Sequence, residues 1–449
     1  MGEELFAAYD YGATRYASYP PTSRFDAGVD AARYRRWLGE VPTEAVLALH
    51  VHVPFCQSLC RSCSSYTIVP RHYRPIETYV ALLVREIELV AAVLGAPRPV
   101  DLIHLGGGTP TMLAPEDLRR LGRALRAQFR LLPDLEIAVD VDPRTLTLSG
   151  AAALREIGAT RASLGVQDVS PKVQRIINRW QPLDVTERAV KWLRYAGIHG
   201  IELELLYGLP EQSAGCLLHS IEAVLGLAPD RVILRAYVHE PEIRPHQRLI
   251  DRRALPVPEA RAAQFRAGAA RLIEAGYVAV GIDHFARRED RLAVAQHAGR
   301  LRFGVLGYTD CGAAALIGLG ASAVGTLPQG YVQNAIPIGA YGVRVRSGRL
   351  AVVRGAALTD GDRVRRAIIE RLMCDLAVDL DRVCVDHGWP PERLQAERDA
   401  LAALSIAGFV EISGGMVRVR PDARESIDAI CAVFDDRRGA GDGPRPRAA

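Results

Sequence analysis

Apolar residues recur along this chain in two alternating rhythms. Short, mostly apolar runs at residues 46–53, 101–105, 136–141, 161–165, 200–206, 231–238 and 278–282 read as strands. Between them, residues 73–94, 115–129, 151–157, 172–178, 185–196, 213–227 and 259–275 carry apolar positions at helical spacing, with polar residues on the other face. One helix between each pair of strands predicts right-handed crossovers and a parallel sheet. The class is α/β, and the architecture is a barrel or part of one.

The rhythm changes after residue 301. A glycine-rich stretch, Gly318-Leu-Gly-Ala-Ser-Ala-Val-Gly325, precedes an irregular segment. Helical patterns then occupy 363–376 and 391–404, followed by a short strand pair at 410–420, so a small, mainly helical domain with a wing closes the chain. The pattern divides the chain into an N-terminal extension (1–45), the barrel (46–300), a connecting segment (301–360), the C-terminal domain (361–434) and a tail (435–449). Residues 437–449, RRGAGDGPRPRAA, have the composition of disorder.

With 49% hydrophobic and 24% charged residues in 449, the chain can bury a substantial core. The 56 basic and 52 acidic residues give a net charge of +4, too balanced to argue for nucleic acid or a membrane as a general partner. Only Lys172 and Lys191 are lysines, and the arginines are spread over almost every helix, as codon bias produces. The start of the chain lacks a basic region followed by an apolar one, and no run approaches the ~18 apolar residues of a membrane span. A cytoplasmic monomer is the expectation.

Of the eight cysteines, Cys56, Cys60 and Cys63 form a tight trio and the other five are scattered. In a large chain without a secretory signal the trio reads as a metal or redox site, and it lies directly after a strand, where barrels carry their chemistry. Three thiolates suit zinc, with His50, His52 or His72 as a fourth ligand. They also suit a cubane iron–sulfur cluster with one iron left open, which needs no histidine to turn in. Cys-x3-Cys-x2-Cys is also the spacing of radical S-adenosylmethionine (SAM) enzymes, and Gly106-Gly-Gly-Thr-Pro110 follows the next strand.

These motifs, with Arg15-Tyr-Ala-Ser-Tyr-Pro20, Gly165-Val-Gln-Asp168, Asn178-Arg179, Tyr207-Gly-Leu-Pro210, Asp283-His-Phe-Ala-Arg287, Gly307-Tyr-Thr309 and Tyr331-Val-Gln-Asn334, occur in an order that resembles the oxygen-independent coproporphyrinogen III oxidases, radical SAM enzymes of haem biosynthesis. The resemblance implies a partial (β/α)6-type radical SAM barrel with an N-terminal extension that covers substrate. It implies a [4Fe-4S] cluster on Cys56, Cys60 and Cys63 and two SAM molecules. The SAM-site positions are His50, Ser62, Gly107, Gly108, Thr109, Asp140, Gln167, Arg179, Glu204, Val238 and Val324. Arg15 and Arg287 are candidate clamps for the substrate's carboxylates. The implied reaction converts two propionates of coproporphyrinogen III to vinyl groups, with a flavodoxin or ferredoxin-type protein as electron donor.

Several positions depart from the family pattern. His50 stands where tyrosine is usual, Ser62 where an aromatic is, Asp140 for glutamate, Glu204 for aspartate, and Val238 and Val324 for alanine and isoleucine. Ser65 replaces a fourth cysteine. The changed pocket keeps other readings open: a related C-methyltransferase, cyclopropanase or haem-degrading enzyme, a haem-binding chaperone, or an inactive paralogue.

Overall fold

The computed structural model describes residues 16–436, so Arg15 and the tail at 437–449 lie outside the described residues. The chain divides into two compact units. One contains residues 26–256 and 311–357, the other residues 16–25, 257–310 and 358–436 among those described.

The first unit is built on a mixed sheet. Six strands, β1 (Leu47–Val53), β2 (Pro99–Gly107), β3 (Arg130–Val141), β4 (Arg161–Gln167), β5 (Gly200–Tyr207) and β6 (Arg231–Ala236), lie side by side in chain order and pair in parallel. A parallel sheet has both faces covered, which is why β1 is buried along nearly its whole length despite two histidines. The crossover after β1 shows how one helix is fixed. Arg74–Leu94 begins at a proline, buries Ile76, Tyr79, Val80, Leu83, Ile87 and Val90 on one face, and stops at Gly95, whose φ of 78° lies in the left-handed region.

The segment after the glycine-rich stretch, expected to be irregular, is ordered into strands and a helix, and the stretch itself spans two strands. After two short strands of the other unit, β7 (Val278–Val280) and β8 (His284–Ala286), and a hairpin of β9 (Arg302–Gly304) and β10 (Gly307–Thr309), the chain returns to the first unit. There β11 (Ala315–Leu319) pairs in parallel with β1, and β12 (Val324–Leu327), β13 (Gly330–Asn334) and β14 (Val352–Ala357) extend the sheet antiparallel. Glycines mask these strands in the sequence because the strands cross closely. A Cβ on Gly318 would sit 2.6 Å from Val324 O, and one on Gly330 would meet Ala356 O. The sheet is not closed into a barrel.

In the second unit, the helix Asp360–Asp375 and the C-terminal helices pack around Ile368, Leu372, Met373, Leu380, Leu401 and Phe434. The strand pair expected at 410–420 is joined by Ala377–Asp379, giving a three-stranded antiparallel sheet. Tyr16 and Tyr19 bury their rings in this core, and their hydroxyls donate to Asp435 (3.0 Å) and Asp436 (2.6 Å). Among the described residues no helix is long and apolar enough to cross a membrane.

Candidate active site

The cysteine loop leaves the C-terminal end of β1 and is pinned where it starts and ends. Ile68 N–H donates to Pro54 O (2.7 Å), and Cys56 N–H donates to Ile68 O (3.0 Å). The far side is held by the segment after the helix Pro171–Ile176: Arg61 N–H donates to Ile177 O (2.8 Å) and Asn178 Nδ2 to Leu59 O (3.0 Å). Asn178 has φ 55°, which asparagine tolerates, and the reversal there turns Arg179 back toward Cys60.

All eight cysteines are free thiols. Cys56 Sγ lies 3.0 Å from Thr109 Oγ1, and Cys63 Sγ lies 3.8 Å from both Ser65 O and Thr67 Oγ1. Cys60 Sγ accepts from two guanidinium groups, Arg179 Nη1 at 3.6 Å and Arg144 Nη2 at 3.7 Å. Burial pushes the Cys56 thiol up to about 11 and raises Cys63 as well. Buried thiols of this kind give up their protons when a metal takes their place. Among the described residues no group of three or more His, Cys, Asp or Glu surrounds a single metal position. In a cubane the thiolates bond different irons, so three separately held thiols are the donor set it requires.

The turn after β2 lies against this loop. Gly107 has φ 109°, and a Cβ there would meet the His52 ring at 2.6 Å. A Cβ on Gly108 would sit 2.7 Å from Phe55 O and 2.8 Å from Phe55 N, so this glycine is required by the backbone that leads into Cys56.

Two polar clusters line the neighbouring strands. His104 Nε2 is 3.1 Å from Asp140 Oδ1, and the His104 ring stacks on His50 with centroids 5.5 Å apart. Burial alone would lower His104, but the charge and hydrogen bond of Asp140 outweigh it and hold this imidazole above its usual value. His50, buried beside two other imidazoles, is held well below its usual value, and burial lowers His52 to about 4. On the next strands Gln167 Nε2 donates to Glu204 Oε1 (3.2 Å), and Arg235 pairs with Glu204 Oε2 (2.9 Å). Buried polar atoms without a hydrogen-bond partner include Gln167 Oε1, Arg179 Nε, His50 Nδ1 and His52 Nε2. Such atoms are costly unless a ligand or water satisfies them.

The structure thus joins Cys56 to Thr109, Cys60 to Arg179, His50 to Asp140 through His104, and Gln167 to Glu204. Ser62 is half-buried between Cys60 and Cys63, Val238 O accepts from Gln247 Nε2 (3.2 Å), and Val324 is buried in β12 opposite Gln333. Arg287 belongs to the other unit, where its guanidinium stacks over Tyr277 at 4.7 Å.

Sequence reasoning missed His104, Asp142, Arg144 and Arg235. A signal was present: His104 lies two residues before Gly106 on the same strand face, and Asp142 and Arg144 follow β3 at the edge where the other site residues collect.

Three free thiols in the loop after the first parallel strand, beside a glycine turn after the second, are the frame of a radical SAM site, and the Radical SAM superfamily matches residues 50–224. The chain is a radical SAM oxidoreductase, a membership that implies SAM and a [4Fe-4S] cluster. It belongs to the oxygen-independent coproporphyrinogen III oxidase family. It is 45% identical over 431 residues to the oxygen-independent coproporphyrinogen III oxidase of Bradyrhizobium diazoefficiens, covering 95% of this chain and 96% of that protein. The oxygen-independent coproporphyrinogen III oxidase of Paracoccus denitrificans is 38% identical, with 96% of each covered. The solved structure of coproporphyrinogen III oxidase (HemN) from Escherichia coli superposes with a TM-score of 0.89 at 34% identity, covering 94% of this chain and 97% of that one. These relatives favour the oxidase over the methyltransferase, cyclopropanase, haem-degradation, chaperone and inactive readings.

Proposed function

We propose that this protein catalyses the oxygen-independent oxidative decarboxylation of coproporphyrinogen III to protoporphyrinogen IX. The observation that carries the reading is the cysteine loop itself, with Cys56 set against Thr109 after β2, and Cys60 against Arg144 after β3 and Arg179 after the helix Pro171–Ile176. Cys56, Cys60 and Cys63 would hold the cluster. When bound, cluster and SAM would supply a 5′-deoxyadenosyl radical that removes a hydrogen atom from a propionate β-carbon, after which loss of CO2 and transfer of one electron to an external one-electron acceptor would leave a vinyl group.

The chain's own residues bind, orient and exclude water. Gly107, Gly108 and Thr109 keep the turn close to the cysteine loop. Buried Arg179 and half-buried Gln167, Glu204 and Asp140 offer donors and acceptors for the charged and ribose groups of SAM, and the unpartnered Gln167 Oε1 and Arg179 Nε await such contacts. Two SAM molecules are part of this proposal. So are carboxylate clamping by Arg15 and Arg287, a flavodoxin or ferredoxin-type electron donor, and a cytoplasmic location.

Two departures from the family are tied into the site by other residues. His50, in place of tyrosine, stacks on His104, which reaches the shortened carboxylate of Asp140. Glu204, one methylene longer than aspartate, is held by both Gln167 and Arg235. Anaerobic incubation with SAM, a reductant and coproporphyrinogen III tests the reading. The expected products are mono- and di-vinyl porphyrinogens with 5′-deoxyadenosine. Formation of 5′-deoxyadenosine without vinyl product would overturn it.

A further inference from the structure

Two guanidinium groups converge on one carboxylate behind Cys60. Asp142 Oδ2 accepts from Arg144 Nη2 at 2.6 Å and from Arg179 Nη1 at 3.5 Å, and Asp142 Oδ1 accepts from Arg144 N–H and Nε at 3.0 Å each. All three side chains are largely buried, with exposures of 13% for Arg144, 10% for Arg179 and 4% for Asp142. Burial would push the Asp142 carboxyl up, but Arg179 and Arg144 together hold it below its usual value, so it stays ionised. Two cations therefore share one anion in a poorly solvated place, and buried charge of this kind calls for a further counter-charge.

The nearest anionic candidate is the sulfur to which both arginines also donate, Cys60 Sγ. Arg179 is accounted for among the SAM positions. Arg144 is not, and its placement is over-determined: besides Asp142 and Cys60 it donates from Nη1 to Ser58 Oγ at 3.3 Å, so its plane is locked against the cysteine loop. Hydrogen bonds and positive charge at a cluster's sulfurs favour the more negative, reduced state and so raise the reduction potential.

We propose that Arg144, clamped by Asp142, is a positioning residue that donates to the Cys60 thiolate and raises the reduction potential of the cluster. The proposal rests on the reading that the trio holds the cluster. Arg144 touches neither substrate nor SAM in this account. Its effect runs through the sulfur and brings the cluster within reach of a protein electron donor.

The test is an EPR-monitored redox titration of the full chain, reconstituted anaerobically, with iron counted in parallel. Arg144→Gln should retain its iron while the midpoint falls, leaving a reduced-to-oxidised ratio about tenfold smaller at fixed potential, or about 59 mV for one electron. Arg144→Lys keeps the charge but not the planar fork, and its midpoint should fall less. An Arg144→Gln midpoint equal to that of the wild type would overturn the proposal, as would loss of iron in both variants, which would assign Arg144 to loop folding. A wild-type protein that forms no cluster would instead overturn the underlying reading of the cysteines, an outcome visible before any variant is made.

Discussion

Gly108 is the position where one added methyl group should be felt furthest. The family resemblance makes it a SAM-site position, where a side chain would disturb SAM. The structure moves the collision. A Cβ on Gly108 would lie 2.7 Å from Phe55 O, 2.8 Å from Phe55 N and 3.0 Å from Pro54 C, all backbone atoms of the residues that lead into Cys56. Backbone cannot swing aside as a flexible side chain would, so the turn and the loop must separate. Overpacking of this kind costs about 1–3 kcal/mol. The separation would also weaken the Gly108 N–H bond to Val53 O (2.9 Å) and the Thr109 contact with Cys56 (3.0 Å). Gly108→Ala should therefore lower both the denaturant midpoint and the iron bound per chain after reconstitution. Gly39→Ala is the control, since nothing lies within 4 Å of a Cβ at that helical glycine. A Gly108→Ala protein that unfolds at the wild-type midpoint and takes up full iron would refute this reasoning.

Replacing Cys56, Cys60 or Cys63 by alanine should abolish the cluster spectrum and most of the bound iron, whereas Cys374→Ala, at a buried position in the other unit, should leave iron content unchanged. Ser62→Phe should restore an aromatic face for adenine and tighten SAM binding by roughly 1–3 kcal/mol, read by calorimetry on the reconstituted protein, with the gain in turnover confined to subsaturating SAM. His52 is held neutral in the fold, with its value lowered to about 4 from 6.5, so the unfolded chain binds the extra proton first as the pH falls. Stability from this group is present above pH 6.5 and should decline by about 3 kcal/mol as the pH falls from 6.5 toward 4, seen as a pH-dependent denaturant midpoint that His52→Gln flattens.

The parts of this molecule that could be read from its sequence are those with one dominant physical cause. The strands β1, β5 and β6 are legible because burial on both faces leaves runs rich in Val, Ile and Leu, and the helix Arg74–Leu94 because its apolar face repeats for 21 residues. The strands β11 to β14 were hidden because close crossings demand glycine at Gly318 and Gly330, and glycine lowers the strand signal. Within the site, thiols at fixed spacing announce themselves. Arg144 does not, because it is one arginine in a chain full of them, and only the fold sets its guanidinium against Asp142 and Cys60. The His104–Asp140 pair was likewise silent, since its members are 36 residues apart and meet only through the pairing of β2 with β3.

The central claim is that a radical generated at the Cys56–Cys60–Cys63 site removes hydrogen from a propionate β-carbon of coproporphyrinogen III. It is tested most directly with substrate deuterated at those carbons, incubated anaerobically with SAM and a reductant, and with the 5′-deoxyadenosine analysed by mass spectrometry alongside the porphyrinogen products. The account predicts deuterium in the 5′-deoxyadenosine, accompanied by the loss of one propionate carboxyl and the appearance of one vinyl group for each transfer. Unlabelled 5′-deoxyadenosine, or labelled 5′-deoxyadenosine without any vinyl product, would contradict it.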